Sequence, residues 1–241
     1  MEENIQCCFQ RYEKKYILSR AQQEYIMKNM RARMVPDEYG QYTICSVYYD
    51  TPDWRLIRAS LDKPVYKEKL RVRSYGVPAE DGRVFVELKK KFDGVVYKRR
   101  ITMGAAEAAA FLRGEAAAKG QIGQEIAWFQ SFYHTEPKVF IGYDRLAFTG
   151  RDDPELRITF DTALRCRDEN ADLRAGDYGA AILPPDAVLM EIKIPGAAPL
   201  WLSRLLTDAG AFPGAFSKYG TFYETHILNQ TFHAKEAACC A

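Results

Sequence analysis

The sequence contains no apolar stretch long enough to cross a membrane. A transmembrane helix needs ~18 or more consecutive apolar residues, and no window of this chain approaches that length. The N-terminal residues MEENIQCCFQRYEKKY are polar and charged, and they lack the apolar core of a secretory signal. From the sequence we therefore expect a cytoplasmic protein without a membrane span.

Histidine is scarce, and the cysteines have no metal-binding spacing. There are three histidines, none in an H-E-x-x-H arrangement, so catalysis by a histidine base or a serine–histidine pair has little support. The six cysteines include two vicinal pairs but no C-x-x-C, which suits neither a zinc site nor a disulfide framework. We interpret them as reduced thiols.

The chain also has little net charge. Lys and Arg number 34 and Asp and Glu 32, which gives +2 and argues against a nucleic-acid binder that works by bulk charge. With 241 residues, 47% of them hydrophobic, the chain can bury a sizeable core. No linker or repeat divides it, so we predict a single domain over residues 1–241, with a frayed C-terminal tail.

Strand patterns dominate the chain. Alternating or β-branched stretches predict strands at 42–50, 65–75, 83–91, 95–102, 138–148, 156–164 and 187–194, with a further one around Arg11–Tyr16. Asp93-Gly94 is typical of a hairpin turn. Helices are predicted from Ser19 to about Met34 and at 105–118, 124–132 and 199–209. This order favours an α+β, mostly β fold, an antiparallel sheet closed or nearly closed into a barrel with helices packed outside.

Charged residues alternate with apolar ones in strand after strand. Successive side chains point to opposite faces of a sheet, so each strand carries one charged face. The bases that share such faces are Lys67, Lys69, Arg71, Arg73, Lys89, Lys98, Arg100 and Lys193. A sheet with one face in water gives the same alternation in any single strand. Repeated mainly with Lys, Arg and Glu, the pattern indicates a basic tunnel that concentrates polyanions, in which arginine binds phosphate bidentately.

Three glutamates lie on the charged faces, each two residues before a lysine. They are Glu13, Glu87 and Glu191. Carboxylates in a basic channel suit Mn²⁺ or Mg²⁺, which take oxygen ligands and bridge phosphates. We interpret Asp161 as an ion-pair partner of Arg157. Trp54 is more typical of a structural residue than of a base-stacking one at a tunnel mouth.

Eight short motifs in order carry a resemblance to a known family. They are R-Y-E-K-K-Y, S-V-Y-Y-D-T-P, L-R-V-R-S-Y, V-E-L-K, Y-D-R, L-R-I-T-F-D, M-E-I-K and S-K-Y-G. Over roughly residues 9–224 the chain resembles the VTC polyphosphate polymerase domain, of the triphosphate tunnel metalloenzyme superfamily that includes the CYTH proteins. The resemblance implies a closed tunnel of eight antiparallel strands that binds triphosphate with a divalent metal. It also implies transfer of the ATP γ-phosphate onto orthophosphate or polyphosphate.

The motifs and strand faces together assign candidate roles. The candidate catalytic residues are Arg71, Arg73, Lys89, Arg145 and Arg157. The candidate substrate-binding residues are Lys15, Lys67, Lys69, Lys98, Arg100, Lys193 and Lys218. Glu191 is the principal candidate metal ligand, with Glu13 and Glu87 beside it.

The pattern leaves other functions open. Arg11 stands where CYTH relatives have the first glutamate of E-x-E-x-K, which favours the polymerase branch over a tripolyphosphatase or nucleoside triphosphatase. A non-catalytic polyphosphate sensor would gain nothing from buried carboxylates. A single-stranded RNA binder needs aromatic side chains interleaved with its basic residues, and the Lys67–Arg73 face has none. We therefore expect no nucleic-acid partner. The resemblance also implies a membrane-protein partner for product export, which would hold this protein at the inner face of the membrane.

Overall fold

The computed structural model describes residues 8–9, 12–117 and 119–229, so Arg11 lies outside the described residues. The strands are β1 Cys8–Phe9, β2 Tyr12–Ser19, β3 Met34–Asp50, β4 Tyr66–Tyr75, β5 Arg83–Phe92, β6 Val95–Gly104, β7 Glu136–Gly150, β8 Arg157–Arg167, β9 Ala180–Ala181 and β10 Ala187–Ile194. The α-helices are α1 Arg20–Met30, α2 Arg55–Leu61, α3 Ala105–Leu112, α4 Gly120–Tyr133, α5 Leu200–Asp208 and α6 Lys218–Phe222. A 3₁₀ turn at Leu173–Ala175 and a π-helix at Tyr223–Leu228 complete the described elements.

All strand pairs of the sheet are antiparallel, which confirms the mostly β, α+β prediction. The strand order is β1-β6-β5-β4-β3-β7-β8-β10-β2, and β9 pairs with β8. The closed eight-stranded barrel is not confirmed, because within the described ranges no ladder joins β2 to β6. Each edge has another partner: Cys8 and Phe9 pair with β6, while Gly214 bridges to Lys15 on the free side of β2.

Local sequence signals set several element boundaries. Ser19 caps α1 in a capping box, in which the Gln22 amide donates to Ser19 Oγ and the Ser19 amide donates to Gln22 Oε1. The helix ends at Met30, earlier than predicted, because β3 already begins at Met34. Asp93 and Gly94 both have positive φ and form the predicted turn between β5 and β6.

Two apolar cores lie between the convex face of the sheet and the outer helices. Helices α3 and α4 cover β4 to β6, where Val84, Val86 and Leu88 are fully buried. Helices α1 and α5 pack against β2, β8 and β10. The apolar side chains of the strands thus face outward to the helices, and the charged side chains at the alternate positions face inward. No helix in the described part of the chain is long and apolar enough to cross a membrane.

A third core fills one end of the concave side. Helices α2 and α6 and the π-helix pack there on Val139 and Leu189, with Tyr219 and Phe222 buried between. Asp50 anchors this core, since its carboxylate accepts the Leu56 and Ile57 amides at the start of α2. The remainder of the concave side is a cavity.

Candidate functional site

A cavity of about 420 Å³ lies in the concave face. Its walls come from both halves of the sheet and from α6, so side chains of the edge strands β2 and β6 meet around one space. The lining residues are Glu13, Lys15, Tyr48, Lys69, Arg71, Arg73, Glu87, Lys89, Val96, Lys98, Tyr143, Arg145, Glu191, Lys193, Ser217, Lys218 and Tyr219. Nine cationic side chains therefore face three carboxylates, which makes the cavity strongly basic.

The structure brings most of the sequence-derived site residues together here. Those that line the cavity are Lys15, Lys69, Arg71, Arg73, Lys89, Lys98, Arg145, Lys193, Lys218, Glu13, Glu87 and Glu191. The others lie outside its wall. Lys67 donates to the Ser60 carbonyl at 3.2 Å, and the Arg157 side chain is 45% exposed, with its guanidinium 4.0 Å from Asp37. Arg100 stands opposite Glu87 in the β5–β6 register and contacts its carboxylate at the margin of the cavity.

Glu87 is the centre of a buried charge cluster. Its side chain is 1% exposed, and Arg71 donates to one carboxylate oxygen at 2.7–2.8 Å. Arg100 and Lys98 contact the other oxygen, the lysine at 2.9 Å. These cations outweigh the effect of burial and hold the pKa of Glu87 far below its ordinary value. Both oxygens are occupied, so the carboxylate positions cations and has little capacity left for a metal.

Asp161 organises a second cluster, and its partner differs from the predicted one. The Arg145 guanidinium binds it bidentately at 2.6 and 2.8 Å, and Lys218 Nζ lies 2.6 Å away. The predicted pair with Arg157 is wrong, because Arg145 stands directly opposite Asp161 in the β7–β8 register. Asp161 is fully buried. It holds one cation from β7 and one from α6 at the cavity wall.

Glu13 and Glu191 form the group that could hold a metal. Lys15 Nζ lies 3.5 Å from Glu13 and 3.6 Å from Glu191, and Lys218 lies 3.3 Å from Glu191. Burial and Glu191 both raise the pKa of Glu13, but Lys15 and its neighbours leave it below the ordinary value. Two adjacent carboxylates suit Mg²⁺ or Mn²⁺ when substrate phosphates supply further ligands. Among the described residues no cluster of three metal-ligating side chains occurs.

Several cations of the cavity lack a carboxylate partner. Nε of Arg73 is buried without a hydrogen bond, and its Nη2 donates to Tyr143 at 3.3 Å. Burial lowers the pKa values of Lys89 and Lys193, which have no ion pair within the described chain. Lys89 is exposed and Lys193 is half-buried, whereas Arg73 is buried, and a buried cation without a partner is costly. The arrangement is typical of a site that binds a multivalent anion.

Three tyrosines of the wall were not singled out from the sequence. Tyr48 accepts a hydrogen bond from Arg71 at 3.2 Å, and Arg71, Arg73 and Lys69 outweigh burial to lower its pKa to about 8. Tyr143 lies under Lys218, and Tyr219 stacks on Tyr48. Tyr48 and Tyr143 lie at the cavity-facing alternate positions of their strands, and this alternation is the sequence signal that could have identified them.

The fold and cavity define an antiparallel β-sheet protein with a basic cavity in its concave face. The VTC domain family matches residues 10–227, and the chain belongs to this family. No curated protein matches the chain.

Solved structures show the same fold. A putative adenylate cyclase from Bacillus halodurans aligns with a TM-score of 0.56 at 12% identity, over 87% of this chain and 95% of that chain. A putative adenylyl cyclase from Hippeastrum, described as having a dominant triphosphatase activity, aligns with a TM-score of 0.52 at 16% identity. That alignment covers 88% of this chain and 94% of that chain.

Proposed function

We propose that this protein is a metal-dependent phosphotransferase that moves the γ-phosphate of ATP onto orthophosphate or polyphosphate. The observation that carries the proposal is the cavity wall, where nine cations and two adjacent carboxylates converge. Such a wall is complementary in charge to a chain of phosphates and to the divalent cation that accompanies it. Membership of the VTC domain family supports the same substrate class.

The cationic wall positions and neutralises the triphosphate. Arg71, Arg73 and Arg145 present guanidinium groups from β4 and β7, and such groups bind phosphate oxygens in a fork. Arg71 and Arg145 are held by Glu87 and Asp161, so they need not reorganise when charge develops on the transferring group. Phosphoryl transfer demands mainly this positioning and charge stabilisation, and no protein nucleophile is required.

Glu191 and Glu13 are the residues that would hold Mn²⁺ or Mg²⁺. Bound there, the metal supplies charge neutralisation at the phosphate oxygens. Lys15 lies between the two carboxylates and also donates to the Phe216 carbonyl at 3.0 Å, and on metal binding it would exchange its carboxylate contacts for a phosphate oxygen. An oxygen of the acceptor attacks the γ-phosphorus in line, the bond to the β-phosphate oxygen breaks, and ADP leaves.

The second candidate is a triphosphatase in which water replaces the phosphate acceptor. The activity described for the similar Hippeastrum structure favours it. The same wall serves both reactions, so the acceptor distinguishes them. The cytoplasmic location and a membrane-protein partner stay predictions.

Product analysis separates these candidates. The purified protein is incubated with ATP and Mn²⁺, with and without a short polyphosphate primer, and the products are resolved on a gel beside a free-phosphate assay. Long chains together with ADP are the expected result. Free phosphate without chains would contradict the polymerase assignment and support the triphosphatase. Tight polyphosphate binding without either product would indicate a non-catalytic polyphosphate sensor.

Polyanion binding should take up protons above pH 8. Burial, together with the charges of Lys89, Lys67 and Lys15, lowers the pKa of Lys69 to about 8. A bound polyanion favours the charged amine and raises this pKa, so affinity should fall as the pH rises above 8. Titration calorimetry of tripolyphosphate in two buffers of different ionisation enthalpy measures the uptake. Lys69→Met should reduce it, and binding without proton uptake at pH 8.5 would contradict the assignment.

A further inference from the structure

Four aromatic rings form a continuous row on the concave side, which we call the aromatic row: Tyr39, Tyr42, Tyr75 and Phe85. The centroids of Tyr39 and Tyr42 are 6.3 Å apart, those of Tyr42 and Tyr75 are 5.8 Å apart, and those of Tyr75 and Phe85 are 5.8 Å apart. All three contacts are edge-to-face. The row crosses from β3 through β4 to β5.

The aromatic row adjoins the cavity directly. Phe85 stands opposite Arg73 in the β4–β5 register, and Tyr42 stands opposite Arg145 in the β3–β7 register. Residues opposite each other in an antiparallel pair share a face of the sheet. Both arginines line the cavity, so the rings begin where the phosphate-binding wall ends.

Two rings of the row are exposed to an extent that core packing does not explain, whereas Tyr42 and Phe85 are half-buried and the Arg100 guanidinium lies 4.7 Å from the centre of the Phe85 ring. Tyr75 is 55% exposed and Tyr39 is 69% exposed. At the other end of the concave side the aromatic rings are packed: Trp54 contacts Tyr219, Phe222 and Tyr223. Trp54 is therefore a structural residue of the closed end, and the accessible rings lie at the opposite end.

The geometry points to a nucleobase site: we infer that the aromatic row stacks the base of a nucleoside triphosphate whose phosphates lie in the cavity. This inference rests on the proposed function and specifies its substrate. Base stacking on aromatic rings accepts any base, because every base has a π-face. An inorganic phosphate chain has no group for these rings, whereas a nucleotide spans both surfaces with its base outward and its γ-phosphate inward.

Replacing Tyr75 by alanine tests the inference. Affinities for ATP and for methyl triphosphate, which carries the phosphates without a base, are measured by calorimetry in EDTA so that no turnover occurs. Tyr75→Ala should weaken ATP binding about tenfold, as loss of one stacking ring does, and leave methyl triphosphate binding unchanged. Tyr75→Phe keeps the ring and should keep the affinity. Trp128→Ala removes an exposed ring of α4 outside the cavity and should change neither ligand.

Each other outcome overturns the inference. An equal loss for both ligands would make Tyr75 part of the phosphate wall or of the fold, and no loss for ATP would exclude stacking on it. If the wild-type protein bound methyl triphosphate but ATP no better, the base site would be rejected while the proposed function survived. If it bound neither ligand, the triphosphate site itself would be rejected and the base site with it.

Discussion

Glu191→Gln should reduce metal-dependent turnover by about a hundredfold or more, because a bound metal contributes several kcal/mol to stabilisation of the transition state. The substitution keeps the shape of the side chain and removes the charge beside Lys218 and Lys15. Removal of an anion makes the cavity more basic. Metal-free tripolyphosphate should therefore bind as tightly as before, or more tightly.

Two companion variants give this prediction its contrast. Glu136→Gln alters a carboxylate that pairs with Lys138 outside the cavity lining, and it should leave turnover unchanged. Glu87→Gln should leave Mn²⁺ affinity in the presence of tripolyphosphate unchanged, because Arg71, Lys98 and Arg100 already occupy that carboxylate. Full turnover by Glu191→Gln would show that the metal assignment is wrong.

Asp161→Ala should lower the free energy of unfolding by about 3–5 kcal/mol, since removing one partner of a buried ion pair leaves uncompensated charge. Asp161 is fully buried between Arg145 and Lys218, and both lose their strongest partner. Denaturant titration measures the loss. Tripolyphosphate should restore more stability to this variant than it adds to the wild-type protein, because it pairs with the released cations.

The controls separate charge from packing. Asp161→Asn keeps the shape and removes the charge, so it should remain measurable if the alanine variant fails to fold. Asp152→Ala removes a carboxylate that is 86% exposed, and it should change stability by less than about 0.5 kcal/mol. A loss below about 1 kcal/mol for both Asp161 variants would refute the role of Asp161 as the anchor of the wall.

Strand parity predicted the cavity well, because a period of two assigns each side chain to a face before the topology is known. It could not assign partners across strands. Arg145, not Arg157, meets Asp161: Arg157 lies four residues away along the same strand, about 13 Å, whereas Arg145 stands directly opposite in a β7–β8 register that no residue pattern revealed. Lys67 shares the parity of Lys69, yet it lies beyond the cavity, where it reaches the Ser60 carbonyl.

Neither the closure of the sheet nor the short helices could be predicted from the sequence, and the reasons differ. Parity is the same in an open and in a closed sheet, and here the edges pair with β1 and with Gly214. Helices α2 and α6 span seven and five residues, too few for a periodic signal. Their placement depends on tertiary contacts, such as the hydrogen bond that the Tyr219 hydroxyl donates to the Asp50 carboxylate.

The central claim is that the cavity holds a triphosphate, and titration calorimetry with tripolyphosphate tests it most directly. In EDTA at pH 7 we expect one tripolyphosphate per chain, with an affinity that weakens as salt screens the cationic wall. Arg71→Gln should lose most of that affinity, while Arg113→Gln, which alters an exposed arginine paired with Glu115, should lose none. Absence of binding by the wild-type protein, or equal binding by the Arg71 variant, would contradict the account.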